Sequence, residues 1–357
     1  MGLMLNSAVK IRKPENSPFV SFATGTPEMF ELGREIDNIG QLHFKRSEQQ
    51  SLPLWIDGPR YHPEGGQLIE CVMPHNHRPI ALAEVATEKD VRDAIQTVLN
   101  AREKWISIPW SMRLSIFQRA ARLLEKKYFI KMVAAVMADY SKNPFEATID
   151  VQELIDFLNF NSYYVSEIYR EQPESTADQH NLLDYLPLEG FVFAIPPNNF
   201  MAIEGNLPTA PLMCGNVVVV KPSSDVIFSF HLLLKILHEA GLPRDVLAVL
   251  HGDSKMIGEI VLDHYLLAGV HFTGGTETFK EIRWKVAQNE HKNLYKGFPR
   301  IVGETGGKDA IVVYDNHDPD SSAAAIVVGG FGAQGRKCSA TSRVYMTLEM
   351  WTKVTRP

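Results

Sequence analysis

Between residues 190 and 272 the apolar positions fall in short unbroken runs rather than alternating with polar ones. The runs are 190–195 (Gly-Phe-Val-Phe-Ala-Ile), 217–220 (four valines), 246–250 (Val-Leu-Ala-Val-Leu) and 268–272 (Ala-Gly-Val-His-Phe). Runs of this length predict strands buried on both faces. The segments between and after them, near 201–213, 226–240, 254–264 and 276–288, carry helical patterns. Strands alternating with helices predict an α/β fold with a doubly wound parallel sheet, its crossovers right-handed. Such sheets bind ligands at the C-terminal ends of their strands. The places to search for chemistry are therefore 196–200, 221–225, 252–253 and 273–276.

Upstream the pattern differs. Residues 1–50 mix charges and aromatics with few periodic signals and are expected to form an irregular N-terminal wrap. Residues 53–86 hold short apolar stretches broken by Gly58, Gly65-Gly66 and Pro74, which predict strands and turns. Thr87, with Asp90 at the capping-box position, starts a helix whose Val91, Ile95, Val98, Ala101 and Trp105 share one face. Pro109 ends it. Leu114, Phe117, Ala121, Leu124 and Tyr128 define a second helix, and Pro144 opens a long third one reaching about Tyr169. Residues 171–187 are polar and are expected to leave the core.

Composition narrows the class. At 357 residues, with 45% hydrophobic and 22% charged positions, the chain has room for about two ordinary globular domains. Net charge is −6 and the 36 Lys and Arg are scattered, so there is no nucleic-acid footprint. No apolar run is long enough for a membrane helix. Cys71, Cys214 and Cys338 are too few and too far apart for a disulfide framework or a metal knuckle, and no metal is expected. Lys10, Arg12 and Lys13, with no acid among the first fourteen residues, give a faint transit-peptide character that Pro14 and Pro18 weaken.

Asn198-Asn199-Phe200 follows the first of the continuous runs. An amide there suits a developing oxyanion, and equally suits a plain turn. Lys221, in Lys-Pro-Ser-Ser, is placed either for ribose hydroxyls or as a solvated lysine. Thr273-Gly274-Gly275-Thr276 opens a helix, either as a simple turn or to let phosphate approach its N-terminus. The Gly-x-Gly-x-x-Gly at 330–335 is not expected to bind a dinucleotide, because too little chain follows it for a βαβ unit. Its glycines are expected to give tight backbone around Cys338. That cysteine differs from Cys71 and Cys214, which read as small buried hydrophobes. Arg336 and Lys337 precede it and are expected to draw its thiol toward the reactive range. Glu304, beside Gly306-Gly307, is a carboxylate on close-approach backbone. Thiol and carboxylate together suggest covalent catalysis with a general base.

Taken in order, these segments resemble the aldehyde dehydrogenase superfamily from about residue 50 to 345. The matching motifs are Asn199-Phe200, Lys221-Pro222-Ser223, Ala-Gly-Leu-Pro (240–243), Phe-Thr-Gly (272–274), Glu-x-Gly-Gly-Lys (304–308) and Gly-x-Lys-Cys-Ser-Ala (335–340). Within it the chain looks most like the branch that oxidises L-glutamate γ-semialdehyde, the Δ1-pyrroline-5-carboxylate dehydrogenases of proline catabolism. The cues are Thr278-Phe279-Lys280, Phe298-Pro299-Arg300 and Glu-Thr-Gly-Gly-Lys-Asp.

The resemblance implies that Cys338 attacks the aldehyde and that Asn199 stabilises the oxyanion. A thiohemiacetal then gives hydride to NAD, and Glu304 activates the water that cleaves the thioester. It implies that Lys221 and Ser223 hold the adenosine ribose, and that Gly274, Gly275, Thr276, Glu277 and Thr278 face the pyrophosphate. Lys337 and Ser339 would meet the substrate carboxylate. It also implies an NAD-binding domain (51–172 and 188–303), a dimerisation β-flap at 173–187, and the start of an incomplete catalytic domain at 304–357. A homodimer in the mitochondrial matrix is expected, or a cytoplasmic protein if no transit peptide is present. An inactive, truncated relative that only binds nucleotide or a partner is the alternative.

Four positions depart from the family pattern. Asn198 stands where relatives have Phe, Glu204 where they have Gly, Gly275 where they have Ser, and Arg336 where they have Gln. Loss of a hydroxyl at 275 is expected to weaken cofactor binding by about 1 kcal/mol.

Overall fold

The computed structural model describes residues 10–40, 51–62, 65–314 and 318–355. Residues 1–9 of the leader-like stretch and 41–50 of the expected wrap lie outside them. The rest of the wrap is not wholly irregular, for it contains helix α1 (Pro27–Gly40). Leu32 and Ile39 are buried and Ile36 packs with them, a helical stripe that the intervening charges masked in the sequence. Thr26 Oγ1 accepts the Met29 amide at its start, 3.3 Å away.

Five short strands follow: β1 (Ser51–Leu52), β2 (Leu54–Trp55), β3 (Pro59–Arg60), β4 (Leu68–Val72) and β5 (Pro79–Glu84). β1, β5 and β4 make a small sheet of their own. Helix α2 (Glu88–Ser107) starts in the capping box expected at Thr87 and Asp90, and its five apolar positions are all buried. Pro109 separates it from α3 (Trp110–Leu123). The apolar stripe then passes through a π-helical turn, Leu124–Tyr128, into α4 (Phe129–Tyr140). Ser141, at φ 55°, ends α4, and Asn143 caps α5 (Pro144–Arg170).

The remaining segments build the large sheet. β6 (Phe191–Ile195), β7 (Val217–Val220), β8 (Leu247–Val249), β9 (Leu267–Gly274) and β10 (Arg300–Thr305) lie in the order β10-β9-β6-β7-β8, all parallel. β2 and β3 extend the β8 edge in antiparallel fashion, with Trp55 opposite Val249. The crossovers are α6 (Met201–Met213), α7 (Ile227–Glu239), α8 (Ser254–Leu262) and α9 (Thr276–His291). All four expected strands and all four expected helices are present. The order reverses between β6 and β9, so that gap is the topological switch point.

Two local solutions shape the layer behind the sheet. Gly205 lets α5 and α6 meet closely: a Cβ there would lie 2.5 Å from Leu154 Cδ1 and 2.9 Å from Leu233 Cδ2. Pro211 inside α6 has no N–H for the Leu207 carbonyl, and His271 Nδ1 of β9 donates to that carbonyl instead at 2.9 Å.

Residues 173–187, the expected β-flap, run extended without strand pairing. Gln172 Oε1 accepts the Leu183 amide at 2.8 Å and a tight turn joins Thr176 to Gln179. Beyond β10, β11 (Ala310–Val312) and β12 (Arg343–Tyr345) pair parallel in a separate two-stranded sheet. α10 (Pro319–Phe331) lies between them in sequence and α11 (Leu348–Val354) follows.

Candidate active site

The loop after β6 is fixed from behind. α6 begins at Met201 with Phe200 as its N-cap residue, which offers no side-chain acceptor. Its first amides would be orphaned, but Asp150 of α5 accepts them, from Met201 at 3.0 Å and from Ala202 at 2.8 Å. Lys142 neutralises Asp150 across 2.7 Å, and both side chains are fully buried. The Lys142 ammonium also lies 3.6 Å from the centre of the Phe200 ring. Burial draws the Lys142 pKa down, and Asp150 opposes that pull. Asn199, one residue before this cap, is thereby held at the switch point.

The thiol loop arrives from α10. Ala333, Gln334 and Gly335 all have positive φ, at 50°, 55° and 71°, and turn the chain back toward the sheet. Asn199 Nδ2 donates to the Arg336 carbonyl at 2.8 Å. An amide carries two N–H groups, so one stays available for a substrate oxygen. Cys338 is half-buried in the turn that follows, and Ser339 is exposed beside it. The Cys338 carbonyl accepts the Gly307 amide at 3.1 Å, and a Cβ at 307 would lie 2.5 Å from that oxygen. Glu304, three residues before Gly307, sits on β10 opposite Thr273, exposed at the sheet edge. One side-chain and one backbone hydrogen bond thus join the Asn199 and Glu304 segments to the Cys338 loop. Of the three glycines at 330, 332 and 335, Gly335 alone takes a positive φ; the non-glycine Ala333 and Gln334 make the rest of the turn.

The two basic residues before Cys338 behave differently from the expectation. The Arg336 guanidinium turns away to the Tyr140 carbonyl, with Gln334 Oε1 at 3.2 Å. The Lys337 ammonium lies over Gly332, where a Cβ would come within 3.3 Å of it. Its charge is felt by Glu153 of α5, whose pKa burial raises. Cys71 and Cys214 are the inert thiols anticipated: burial pushes Cys71 up to about 12 and raises Cys214 as well.

The candidate cofactor residues line the same strand ends. Lys221 follows β7 almost wholly buried, its ammonium donating to the Pro222 carbonyl at 3.2 Å. Ser223 Oγ lies 3.5 Å from Asp225, which also takes Asn198 Nδ2 at 3.1 Å. Gly274 ends β9, Gly275 is the N-cap of α9 with no side-chain cap, and Thr276, Glu277 and Thr278 form the exposed first turn. An uncapped, exposed helix N-terminus fits a phosphate. A Cβ at 275 would meet nothing nearer than Thr278 Oγ1 at 3.9 Å. Gly275→Ser is therefore expected to fold normally and to tighten NAD+ binding about fivefold, measured by titrating intrinsic fluorescence.

Charges that sequence reasoning did not place lie beneath the site. Glu204 is fully buried, and its Oε2 accepts the Tyr140 hydroxyl at 2.6 Å while Oε1 has no hydrogen-bond partner among the described residues. Burial raises its pKa well above the usual carboxyl range, and nearby Asp139 and Asp150 add to this. Asp139 accepts the Ser229 amide at 2.6 Å and is pushed up by burial to about 7. Unfolded carboxyls titrate near 4, so between about 4 and 7 the folded chain binds protons the unfolded chain has lost. Stability must then fall as pH rises through this window. The urea midpoint at pH 8 is expected to correspond to about 2 kcal/mol less stability than at pH 5.5, and Asp139→Asn to flatten the slope. An unchanged midpoint in the parent chain would refute this.

Fold and site together define a doubly wound α/β protein with an asparagine amide at its switch point, a cysteine loop bonded to that amide, and a carboxylate on β10, one strand beyond β9. The chain belongs to the aldehyde dehydrogenase family, whose model matches residues 61–356. It is 39% identical over 339 residues to the mitochondrial Δ1-pyrroline-5-carboxylate dehydrogenase of Emericella nidulans, covering 94% of this chain and 58% of that one. With the probable Δ1-pyrroline-5-carboxylate dehydrogenase of Schizosaccharomyces pombe it shares 40% identity, over 84% of this chain and 55% of the relative. The crystal structure of the Δ-pyrroline-5-carboxylate dehydrogenase from Mycobacterium tuberculosis bound with NAD superposes with a TM-score of 0.91 at 37% identity, covering 97% of this chain and 63% of that one. The chain spans a little more than half the length of these curated relatives.

Proposed function

We propose that this site oxidises L-glutamate γ-semialdehyde to glutamate with NAD as cofactor, as the names of the relatives suggest. The observation that carries the reading is the joining of Asn199 to the Cys338 loop through the Arg336 carbonyl, with the Glu304 segment tied to Cys338 through Gly307.

The roles follow from chemistry. The Cys338 thiolate adds to the aldehyde carbon, and the oxygen that becomes negative meets the free N–H of Asn199 and the Cys338 backbone amide. Bound NAD+ would supply the hydride acceptor, held by Lys221 and Ser223 at its ribose and by Gly274 to Thr278 at its phosphates. A thioester remains open to water, and Glu304, exposed on β10, is the base for that water. Ser339, exposed beside Cys338, would meet the substrate carboxylate, and Lys337 would do so on leaving its place over Gly332. Residues 51–172 with 188–303 make up the nucleotide-binding unit and 304–357 belong to the catalytic unit. Residues 173–187, extended and unpaired with any strand of the described residues, are the segment that would serve as a dimerisation flap. The mitochondrial names of several relatives support the same compartment for this protein.

The test is NADH formation by the purified chain given glutamate semialdehyde and NAD+, followed by absorbance. Turnover that other aliphatic aldehydes do not match supports the reading. A folded chain that binds NAD+ but forms no NADH overturns it for this chain.

A further inference from the structure

We propose that Glu146 and Arg336 are positioning residues that brace the Cys338 loop against the junction of α4 and α5, and so set the carbonyl that Asn199 meets. Its functional meaning rests on Cys338 being the nucleophile, whereas its geometry rests on hydrogen bonds alone.

Glu146 is the third residue of α5, where a glutamate commonly bonds back to the amide of its own N-cap. Here the Asn143 side chain accepts the Glu146 amide at 2.9 Å, but Glu146 Oε1 reaches across to the Ala333 amide at 2.6 Å. Ala333 is buried and, with Gln334, forms two successive non-glycine residues in the left-handed region. Such a pair persists only where its surroundings over-determine it.

The surroundings do so three times. Glu146 takes the Ala333 amide, the Ser141 carbonyl takes Gln334 Nε2 at 2.8 Å, and the Tyr140 carbonyl takes the Arg336 guanidinium. Tyr140 and Ser141 end α4, so their carbonyls have no helical partner and lie at the negative end of the helix dipole. A guanidinium is a fitting cap there. Arg336 also lies within 3.4 Å of the Asn198 carbonyl, and its own carbonyl accepts Asn199 Nδ2. One residue therefore joins the α4 terminus, the thiol loop and the asparagine loop.

The experiment is amide hydrogen exchange by mass spectrometry on the full chain and on Glu146→Ala, Glu146→Gln and Arg336→Ala, with cysteine-resolved alkylation by iodoacetamide. In Glu146→Ala and Arg336→Ala, peptides covering 330–341 are expected to exchange about tenfold faster, and Cys338 to alkylate several-fold faster as it leaves its half-buried seat. Glu146→Gln keeps an oxygen acceptor and is expected to stay within about threefold of the parent. Exchange in β6 and β7 and labelling of Cys71 and Cys214 should not move. Unchanged exchange at 330–341 in Glu146→Ala, equal loss in Glu146→Gln, or a rise spread across the sheet overturns the brace. Catalytic failure is read separately: a parent chain that forms no NADH while 330–341 responds as described would refute the reaction and leave the brace standing.

Discussion

Cys338→Ala is expected to cut NADH formation by ~10⁴-fold or more, the scale seen when a covalent nucleophile is removed. Nothing else at the site can take its place. Cys71 is buried in β4 and Cys214 follows α6, both with thiols raised by burial and so carrying little thiolate near neutral pH. The matching changes Cys71→Ser and Cys214→Ser should leave turnover within a few-fold. An aldehyde-bearing alkylator should label Cys338 first, and equal labelling of all three would sink its role. Because Ala deletes only a half-buried sulfur, the variant should fold, bind NAD+ like the parent and melt close to it. Loss of activity with retained cofactor binding is therefore the expected signature.

Much of this arrangement was legible in the sequence, for identifiable physical reasons. A strand buried on both faces must be apolar throughout, so 217–220 could hardly be anything else, and all four valines are buried. The Thr87–Asp90 capping box is local and so was visible. Asn199, Lys221, Gly274 and Cys338 stood at strand ends or in glycine-rich turns, where chemistry is expected.

What escaped notice was either featureless or distant. α4 is buried nearly all round, with Met132 through Val136 all inaccessible, so it has no polar face to give a period. The direction of Arg336 depends on the Tyr140 carbonyl, 196 positions away in sequence. Adjacency to Cys338 therefore misled about that charge. Glu204 was recognised as a departure, but its full burial against the Tyr140 hydroxyl, which raises its pKa, depends on α4 packing that the sequence did not show. Asp150 gave no signal at all, since an aspartate within a long helix usually faces water.

Asp150 is also where stability and chemistry can be separated. Asp150→Ala is expected to cost about 3–5 kcal/mol, because it leaves the buried Lys142 charge without its partner. Two amides of α6, Met201 and Ala202, lose their acceptor in the same step. Urea unfolding measures the sum, and a cost below about 1 kcal/mol would show that the pair is not as buried as its geometry indicates. The loss should shrink at alkaline pH, where Lys142, its pKa already drawn down by burial, can shed its proton. Replacing both partners, as in Lys142→Met with Asp150→Leu, removes the stranded charge and should recover most of the stability. It cannot return an acceptor to the start of α6. Asn199, next to that cap, should then remain misplaced, and turnover should stay depressed in a chain that is again stable. Recovery of both together would mean that Asp150 serves the fold alone.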